Sequence, residues 1–306
     1  MTTDQPVPTR VADTRCATGE GPLWHPDEEC LYWVDIPAGD LFRYDPETDT
    51  HRLVDQRAPI GGVTVEQDGA LVLFGAKGRV TRWVGGETTT LIESLPEEGD
   101  SRFNDVFPDP QGRVFAGTMP TKARLGSLYR LNASTTSAHT PEVHRVETGL
   151  AIPNGMDLTP EGTAMYLTVS DERTIYRYAY DISTGELSDC ETFVEVPEGE
   201  GVPDGLAVDV EGGVWSARWN GGCLIRYTPV GREDQRVELP AQKVSSVTFG
   251  GPSYTDLYIT TAGGDNRATE GDGAGALFRL DAPVAGRPPF RSALSPGESA
   301  TGSPQS

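Results

Sequence analysis

The sequence is poor in cysteine and has no long apolar stretch. Its 306 residues include only four cysteines, and none of the four forms a C-x-x-C pair. Disulfide frameworks and cysteine metal sites need closer spacing, so we expect reduced thiols that mostly pack in the interior. No apolar run approaches the roughly 20 residues of a membrane-spanning helix. The N-terminus also lacks the basic start and apolar centre of a signal peptide. We therefore expect a cytoplasmic protein with no membrane partner.

Lysine is scarce as well. Three of the 25 basic residues are lysine, whereas aspartate and glutamate number 46, so the net charge is −21. Such an excess of negative charge repels phosphate backbones and argues against nucleic acid as a partner. It also destabilises the compact state by self-repulsion unless salt screens the charges. Arginine in place of lysine, with acidic residues spread along the chain, indicates adaptation to high salt. The alternative is an ordinary acidic protein with a GC-rich coding bias.

Several familiar catalytic motifs are missing. The sequence contains no G-x-S-x-G, which argues against serine chemistry of the α/β-hydrolase kind. Its four histidines are scattered and form no H-E-x-x-H, so a histidine-based zinc site is not expected. No glycine-rich phosphate loop follows a strand and begins a helix. Any chemistry must therefore come from other side chains.

What the sequence does contain is a repeat. Six segments share an alternating apolar run, an acidic or glycine turn and a second strand-like run, and their openings are 41 to 50 residues apart. Each segment then ends in a strand-like run in which arginine precedes an apolar or aromatic residue. The six opening residues are Glu20, Gly61, Asn104, Asn154, Asp204 and Ser245.

The repeat predicts the fold. Alternation of apolar and polar residues between Asp-Gly, Glu-Gly and Gly-Gly turns favours strands throughout. A unit of this length with about four short strands is typical of a β-propeller blade. We therefore predict an all-β protein, a six-bladed β-propeller over residues 13–281. Residues 1–12 form an N-terminal segment that is a candidate to pair with the last blade. Residues 282–306 are rich in proline, glycine and serine, which predicts a disordered tail.

The repeat also places its opening residues around one axis. The innermost strand of each propeller blade lines the central channel, so equivalent positions form a ring. Four opening residues carry a side-chain oxygen that can bind a hard cation: Glu20, Asn104, Asn154 and Asp204. Two carboxylates and two amide oxygens at one channel mouth predict a central divalent cation site. The alternative is that Asn-Gly and Asp-Gly are simple turn dipeptides.

Four motifs, in order along the chain, carry a family resemblance. They are TGEGPLWHP, SRFNDVFPDPQGRVFAGTM, GLAIPNGMDLTPEG and VPDGLAVDVEGGVWSARWNGG. Together they resemble the SMP-30/gluconolactonase/LRE family, whose six-bladed propellers include regucalcin-type proteins and sugar lactonases, over roughly residues 14–281. The resemblance implies that Glu20, Asn154 and Asp204 bind one divalent cation (Ca²⁺, Mg²⁺, Mn²⁺, Fe²⁺ or Zn²⁺). It also implies that Asp204 activates the attacking water.

The resemblance extends to the substrate contacts. It implies that Arg102 and Asn104 hold the ring oxygens and hydroxyls of the substrate. After FAGTM, however, this chain continues with Pro120, Thr121 and Lys122, where lactonases resembling the animal members carry acidic residues. We therefore expect Thr121 and Lys122 to form a different sugar-contacting part of the site.

For Arg102 and for two tryptophans, a structural role is the alternative to a place in the site. Arg102 could form a salt bridge with Asp100 or Asp105 instead of binding substrate. Trp215 and Trp219 are expected mainly to pack in the core, with the channel mouth as the other position. The loop AGGDNRATEGDG in the last blade is a candidate lid over the site.

The function implied is metal-dependent hydrolysis of a sugar (aldono) lactone, such as glucono-, xylono- or arabinono-lactone, to the aldonic acid. Water beside Asp204 would lose its proton to the carboxylate and attack the lactone carbonyl. The same ligands would also serve a phosphotriesterase or another esterase, because they only polarise an oxygen and present water. A non-enzymatic cation-binding propeller is the third hypothesis.

Overall fold

The computed structural model describes residues 7–57, 59–134 and 140–295 of the chain. These residues form six antiparallel sheets of four strands each, so the predicted six-bladed β-propeller is confirmed. Within this part of the chain, no helix has the length and the apolar character needed to cross a membrane.

The strands follow one another in chain order. The first is β1 (Thr9–Ala12). Blade 1 contains β2 (Gly19–His25), β3 (Cys30–Asp35), β4 (Asp40–Asp45) and β5 (Thr50–Gln56). Blade 2 contains β6 (Ile60–Val65), β7 (Leu71–Gly75), β8 (Val80–Val84) and β9 (Glu87–Ile92). Blade 3 contains β10 (Phe103–Pro108), β11 (Val114–Thr118), β12 (Gly126–Asn132) and β13 (Glu142–Leu150).

The second half of the propeller has the same plan. Blade 4 contains β14 (Pro153–Leu158), β15 (Ala164–Val169), β16 (Thr174–Asp181) and β17 (Glu186–Glu195). Blade 5 contains β18 (Val202–Val208), β19 (Val214–Trp219), β20 (Cys223–Tyr227) and β21 (Glu233–Glu238). Blade 6 contains β22 (Val244–Gly250), β23 (Asp256–Thr261) and β24 (Leu277–Asp281). Short helical segments lie between strands: 3₁₀ turns at Pro96–Glu98, Ser170–Glu172 and Gly264–Asn266, and α1 (Arg267–Glu270).

Burial follows the position of a strand within its blade. The first strands of neighbouring blades pack against one another around the axis. Strands β3 and β15 are buried along their whole length, whereas the outermost strands β5 and β17 are largely exposed. A strand with neighbours on both faces needs a continuous apolar run, whereas an outer strand can be polar.

Apolar side chains hold neighbouring blades together. Leu23 and Val34 of blade 1 pack with Val63 and Leu73 of blade 2 in one buried cluster. Similar clusters join the other blades around the ring. Burial of apolar surface contributes roughly 25 cal/mol per Å², so these clusters stabilise the contacts between neighbouring blades.

The ring is closed by the N-terminal strand. Strand β1 pairs antiparallel with β24, with Thr9 opposite Arg279, so it supplies the fourth strand of blade 6. The pairing that the sequence suggested for the N-terminal segment is therefore present. Residues 9–12 belong to the propeller, and residues 1–6 lie outside the described residues.

The disordered tail predicted from residue 282 is wrong for residues 282–295. These residues run across one end of the channel, where Gly286 N–H donates to the Tyr254 carbonyl (2.8 Å) and Ser292 N–H to the Val65 carbonyl (2.8 Å). Arg287 pairs with Asp157, and Leu294 is buried in an apolar cluster. Composition missed this packing because the partners come from several blades and are brought together only in the assembled propeller. Residues 296–306 lie outside the described residues.

Candidate metal and substrate site

The other end of the channel contains a cavity of about 230 Å³. Its polar lining includes five residues that the sequence singled out: Glu20, Arg102, Asn104, Asn154 and Asp204. Apolar side chains form the rest of its wall, among them Ile36, Met119, Ile152, Val202 and Trp219. The structure therefore brings together the three predicted cation ligands and two of the four predicted substrate contacts.

A β-bulge aims each ligand toward the axis. The register with the second strand shifts between Glu20 and Leu23 in β2, and equivalent shifts occur around Asn154 in β14 and Asp204 in β18. A bulge leaves residues out of the ladder and redirects their side chains. Asn154 and Asp204 thus lie inside strands, and their Asn-Gly and Asp-Gly dipeptides are not hairpin turns.

Close approach of the blades explains the glycine after Asn154. A Cβ on Gly155 would lie 2.7 Å from the Asp204 carbonyl oxygen and closer still to the Leu206 amide nitrogen. The first strands of blades 4 and 5 could not come this near if position 155 had a side chain. The glycine therefore helps to bring Asn154 and Asp204 to one site.

Two buried carboxyl groups, those of Glu20 and Asp204, and the partly buried Asp105 repel one another at the centre of the channel. Burial raises the pKa of Glu20 to about 8, the charge of Asp105 adds to the shift, and the Gly21 N–H and Arg102 oppose it. Burial raises the pKa of Asp105 to about 6. Burial also raises the pKa of Asp204 well above its usual value, the charges of Glu20 and Asp105 raise it further, and the Gly205 N–H and Asn154 lower it in part. These three carboxyl groups cannot all be ionised at once without a compensating positive charge nearby.

The ligand set fits a divalent cation. Asp204 Oδ1 is buried and has no hydrogen-bond partner in the structure. Leaving a polar oxygen in this state is unfavourable, and a bound cation would compensate for it. Among the described residues, no three His, Cys, Asp or Glu side chains form a group that could hold a metal. A cation here would therefore need the amide oxygen of Asn154 in addition to Glu20 and Asp204. Carboxylate and amide oxygens are the ligands that hard cations prefer.

Hydrogen bonds set the orientation of the Asn154 amide. Its Nδ2 donates to Ser170 Oγ over 3.1 Å, and both residues are buried. In the described part of the chain Asn154 Oδ1 accepts no hydrogen bond. The amide nitrogen is thus held by protein, and the oxygen is left to bind a ligand.

Asn104 and Arg102 form a second polar unit. Asn104 Nδ2 donates to the Pro153 carbonyl (3.1 Å), and its Oδ1 accepts from an Arg102 nitrogen (2.9 Å). Asn104 therefore uses both ends of its amide within the protein, and its oxygen is not a free cation ligand. Within the described residues Arg102 forms no salt bridge with Asp100 or Asp105, and Asp100 faces Arg124 instead. The remaining guanidinium donors of Arg102 are free to bind substrate oxygens.

Thr121 and Lys122 lie outside the cavity lining. Thr121 Oγ1 accepts the N–H groups of Ala123 and Arg124 (3.1 and 3.3 Å) and so fixes its own turn. Lys122 is exposed. Of this segment, Met119 reaches the cavity. The structure does not bring Thr121 or Lys122 to the site as the sequence suggested.

Sequence reasoning missed three polar lining residues, Thr18, Ser170 and Asp171. Ser170 and Asp171 belong to the 3₁₀ turn after β15. Trp219, which the sequence placed mainly in the core with the channel mouth as the other position, ends β19 and lines the cavity. The available signal was strand pairing, because Val169 lies opposite Pro153 and so places the next residues beside Asn154. The expectation of core packing holds for Trp215, which is fully buried and donates to Asp209.

The candidate lid lies beside the rim of the cavity. Its helix α1 contributes Glu270, which pairs with Lys243 over 2.6 Å. The Lys243 ammonium lies 5.4 Å from the centre of the Trp219 ring. The loop itself supplies no lining residue, so it contacts the site through Lys243 and Trp219.

The fold and the site together define a class: a six-bladed propeller with an oxygen-ligand site at one end of its channel. Comparison with known proteins gives the family. Residues 18–263 match the model of the SMP-30/Gluconolactonase/LRE-like region, and the chain belongs to this family.

Individual relatives agree with this assignment. The chain is 50% identical to the pentonolactonase XacC of Haloferax volcanii over 294 residues, which cover 93% of this chain and 97% of the relative. It is 35% identical to the regucalcin of Xenopus laevis, over 80% of this chain and 83% of that protein. Among solved structures, a luciferin-regenerating enzyme matches with a TM-score of 0.84 and 26% identity, over 94% of this chain and 99% of that one. The Haloferax relative fits the halophilic interpretation of the charge.

Proposed function

We propose that this chain is a metal-dependent lactonase that opens a sugar lactone to its aldonic acid, with a pentono-lactone as the preferred substrate. The observation that carries the proposal is the buried, unpartnered Asp204 oxygen, which lies in one cavity with Glu20, Asn154 and the free donors of Arg102. The name of the 50% identical relative, a pentonolactonase, supports the substrate class.

Glu20, Asn154 and Asp204 would hold the cation. A divalent cation bound there supplies Lewis-acid polarisation of an ester carbonyl. Mixed carboxylate and amide oxygens suit Ca²⁺, Mg²⁺ or Mn²⁺ best, with Fe²⁺ and Zn²⁺ also within the range of such a site.

Protein side chains would accept the proton, bind the substrate and limit the access of water. The Asp204 carboxylate accepts the proton of the water that attacks the lactone carbonyl carbon. Arg102, held in place by Asn104, donates to the ring oxygen and hydroxyls of the substrate. Ile36, Met119, Ile152 and Val202 form an apolar wall that limits bulk water around the reacting ester. The ring C–O bond breaks, the leaving ring oxygen takes the proton back from Asp204, and the product is the open-chain hydroxy acid. We place this activity in the cytoplasm, since the four cysteines are free thiols.

The test is proton release from xylono-, arabinono- and glucono-lactones in weakly buffered, high-salt solution, with spontaneous opening subtracted. We expect turnover with added cation and its loss in excess chelator. Asp204→Asn should reduce turnover by about 10²- to 10⁴-fold, because it removes the general base. The variant should still fold, since it removes one negative charge from a group of closely spaced carboxylates that repel one another. Asp265→Asn, an exposed change beside the rim, is the matched control and should keep full activity.

Each alternative gives a different result. Turnover that survives chelation or the loss of Asp204 would contradict the mechanism. Hydrolysis of a phosphotriester or simple ester without lactone opening would contradict the substrate class. Tight cation binding without any turnover would favour the non-enzymatic propeller.

A further inference from the structure

Three carboxylates line the cavity, and one of them differs from the other two. Glu20 and Asp204 are buried, whereas Asp171 is exposed and lies on the 3₁₀ turn Ser170–Glu172. Within the described residues Asp171 forms no ion pair and no side-chain hydrogen bond. Its neighbour Glu172 is engaged outside the cavity, where it accepts the Tyr176 hydroxyl over 2.6 Å. Asp171 thus presents a free carboxylate to the site.

The backbone beneath Asp171 is fixed. Its N–H donates to the Ala151 carbonyl (3.1 Å), and the Ser170 N–H donates to the Ile152 carbonyl (3.0 Å). The Arg173 N–H closes the turn on the Ser170 carbonyl (2.9 Å). Ile152, also in the lining, has a φ of 66°, an unusual left-handed conformation for a β-branched residue. Such outliers persist where the surrounding structure determines them, often at ligand sites. Asp171 is therefore anchored on the same framework that carries Asn154.

A carboxylate in this position suits hydroxyl groups. An ionised carboxylate only accepts hydrogen bonds, and its two oxygens can bind two adjacent O–H donors. Arg102 is the cationic residue in the described lining, and it donates to oxygens. A neutral polyol with both donors and acceptors can satisfy Arg102 and Asp171 at once. An unsubstituted lactone lacks the donors and cannot bind to Asp171.

We propose that Asp171 is a specificity-determining residue that binds hydroxyl groups of the lactone away from the reacting carbonyl. The proposal rests on the lactonase function proposed above and adds the part of the site that selects a sugar. Thr121 and Lys122, which the sequence suggested for this role, lie outside the cavity lining.

The competing explanation is that Asp171 is one more exposed acid on a protein of net charge −21. Glu172 separates the two explanations because it is the adjacent carboxylate and lies outside the lining. Asp171→Asn and Glu172→Gln change the net charge equally, so any effect of overall charge on substrate binding should be the same in both.

The experiment measures KM and kcat for xylono-1,4-lactone and for γ-butyrolactone with wild type, Asp171→Asn and Glu172→Gln. Cation affinity and unfolding temperature are measured in parallel to confirm an intact site. Asp171→Asn should raise the KM for the sugar lactone by about tenfold or more, since hydrogen bonds to a charged group are strong. Its kcat, its cation affinity and its KM for γ-butyrolactone should stay at wild-type values. Glu172→Gln should match wild type throughout.

A selective rise in KM for the sugar lactone in Asp171→Asn establishes the assignment. Equal KM values in Asp171→Asn and Glu172→Gln would overturn it and leave the proposed function intact. A wild-type protein that opens neither lactone would overturn the proposed function and the assignment with it.

Discussion

At the scale of single residues, the site depends on how amide groups are oriented. Asn104 and Asn154 occupy equivalent positions in neighbouring blades, yet their oxygens have different partners. The Asn104 oxygen accepts from Arg102, whereas the Asn154 nitrogen donates to Ser170. An amide whose nitrogen is held by the protein offers its oxygen to a cation. The contacts around an amide, more than its position in the repeat, determine which asparagine can be a ligand.

Ser170→Ala tests this orientation. Without the hydroxyl acceptor, the Asn154 amide can rotate, so we expect cation affinity to fall by about 10- to 100-fold, as for other groups that orient a ligand. Isothermal titration with Ca²⁺, Mg²⁺ and Mn²⁺ measures the change. Ser127→Ala removes another buried serine hydroxyl that lies outside this cavity and should bind the cation like wild type. Unchanged affinity in Ser170→Ala would show that the amide needs no such support.

At the scale of strands and loops, glycines in the bulges allow neighbouring blades to meet. The first strands of blades 4 and 5 come so close at Gly155 that a side chain has no room. The same bulges redirect Asn154 and Asp204 toward the axis. The site therefore depends on a defect in the ladder that recurs from blade to blade.

Gly155→Ala should be strongly destabilising. The added Cβ would collide with backbone atoms of blade 5, which cannot move like a flexible side chain, so we expect a loss of about 2 kcal/mol or more in the free energy of unfolding. Urea denaturation in high salt measures it. In Gly99→Ala, the new Cβ would meet only the Pro96 carbonyl oxygen at 3.6 Å. Because Gly99 has right-handed helical dihedrals, this control should be neutral or slightly stabilising. Similar losses in both variants would contradict the explanation.

At the scale of the whole molecule, the net charge destabilises the closed propeller, whereas the contacts that close the ring stabilise it. The net charge of −21 pushes the blades apart. Pairing of β1 with β24 closes the ring, and residues 282–295 connect several blades across one channel end. These contacts and the clusters between blades must outweigh the repulsion.

Salt should therefore stabilise the protein. The screening length falls from about 30 Å at 0.01 M to about 3 Å at 1 M salt, so we expect the unfolding temperature to rise steadily with KCl. A gain of about 2–4 °C per kcal/mol is typical for domains of 150–250 residues. Calorimetry across this range measures the rise. A variant with Glu195→Gln and Glu198→Gln, both exposed, should need less salt. Equal stability in millimolar and molar KCl would contradict the halophilic interpretation.

The sequence by itself determined the blades, their number and the ring of opening residues. Strand alternation and turn dipeptides are local signals, and the six-fold repetition reinforces them, so the propeller and the Glu20, Asn154 and Asp204 positions could be predicted. The repeat also shows which residues occupy equivalent positions in the blades, and in a propeller such residues lie around one axis.

Only the tertiary structure decided the rest. It paired Asn104 with Arg102, left Thr121 and Lys122 outside the cavity and brought in Ser170, Asp171 and Trp219. It also packed residues 282–295 against the channel end despite their composition. The physical reason is that side-chain hydrogen bonds and packing depend on distances that local patterns do not encode. For Asn104 and Ser170 these distances exist only in the folded blade, and for residues 282–295 they exist only once the ring has closed.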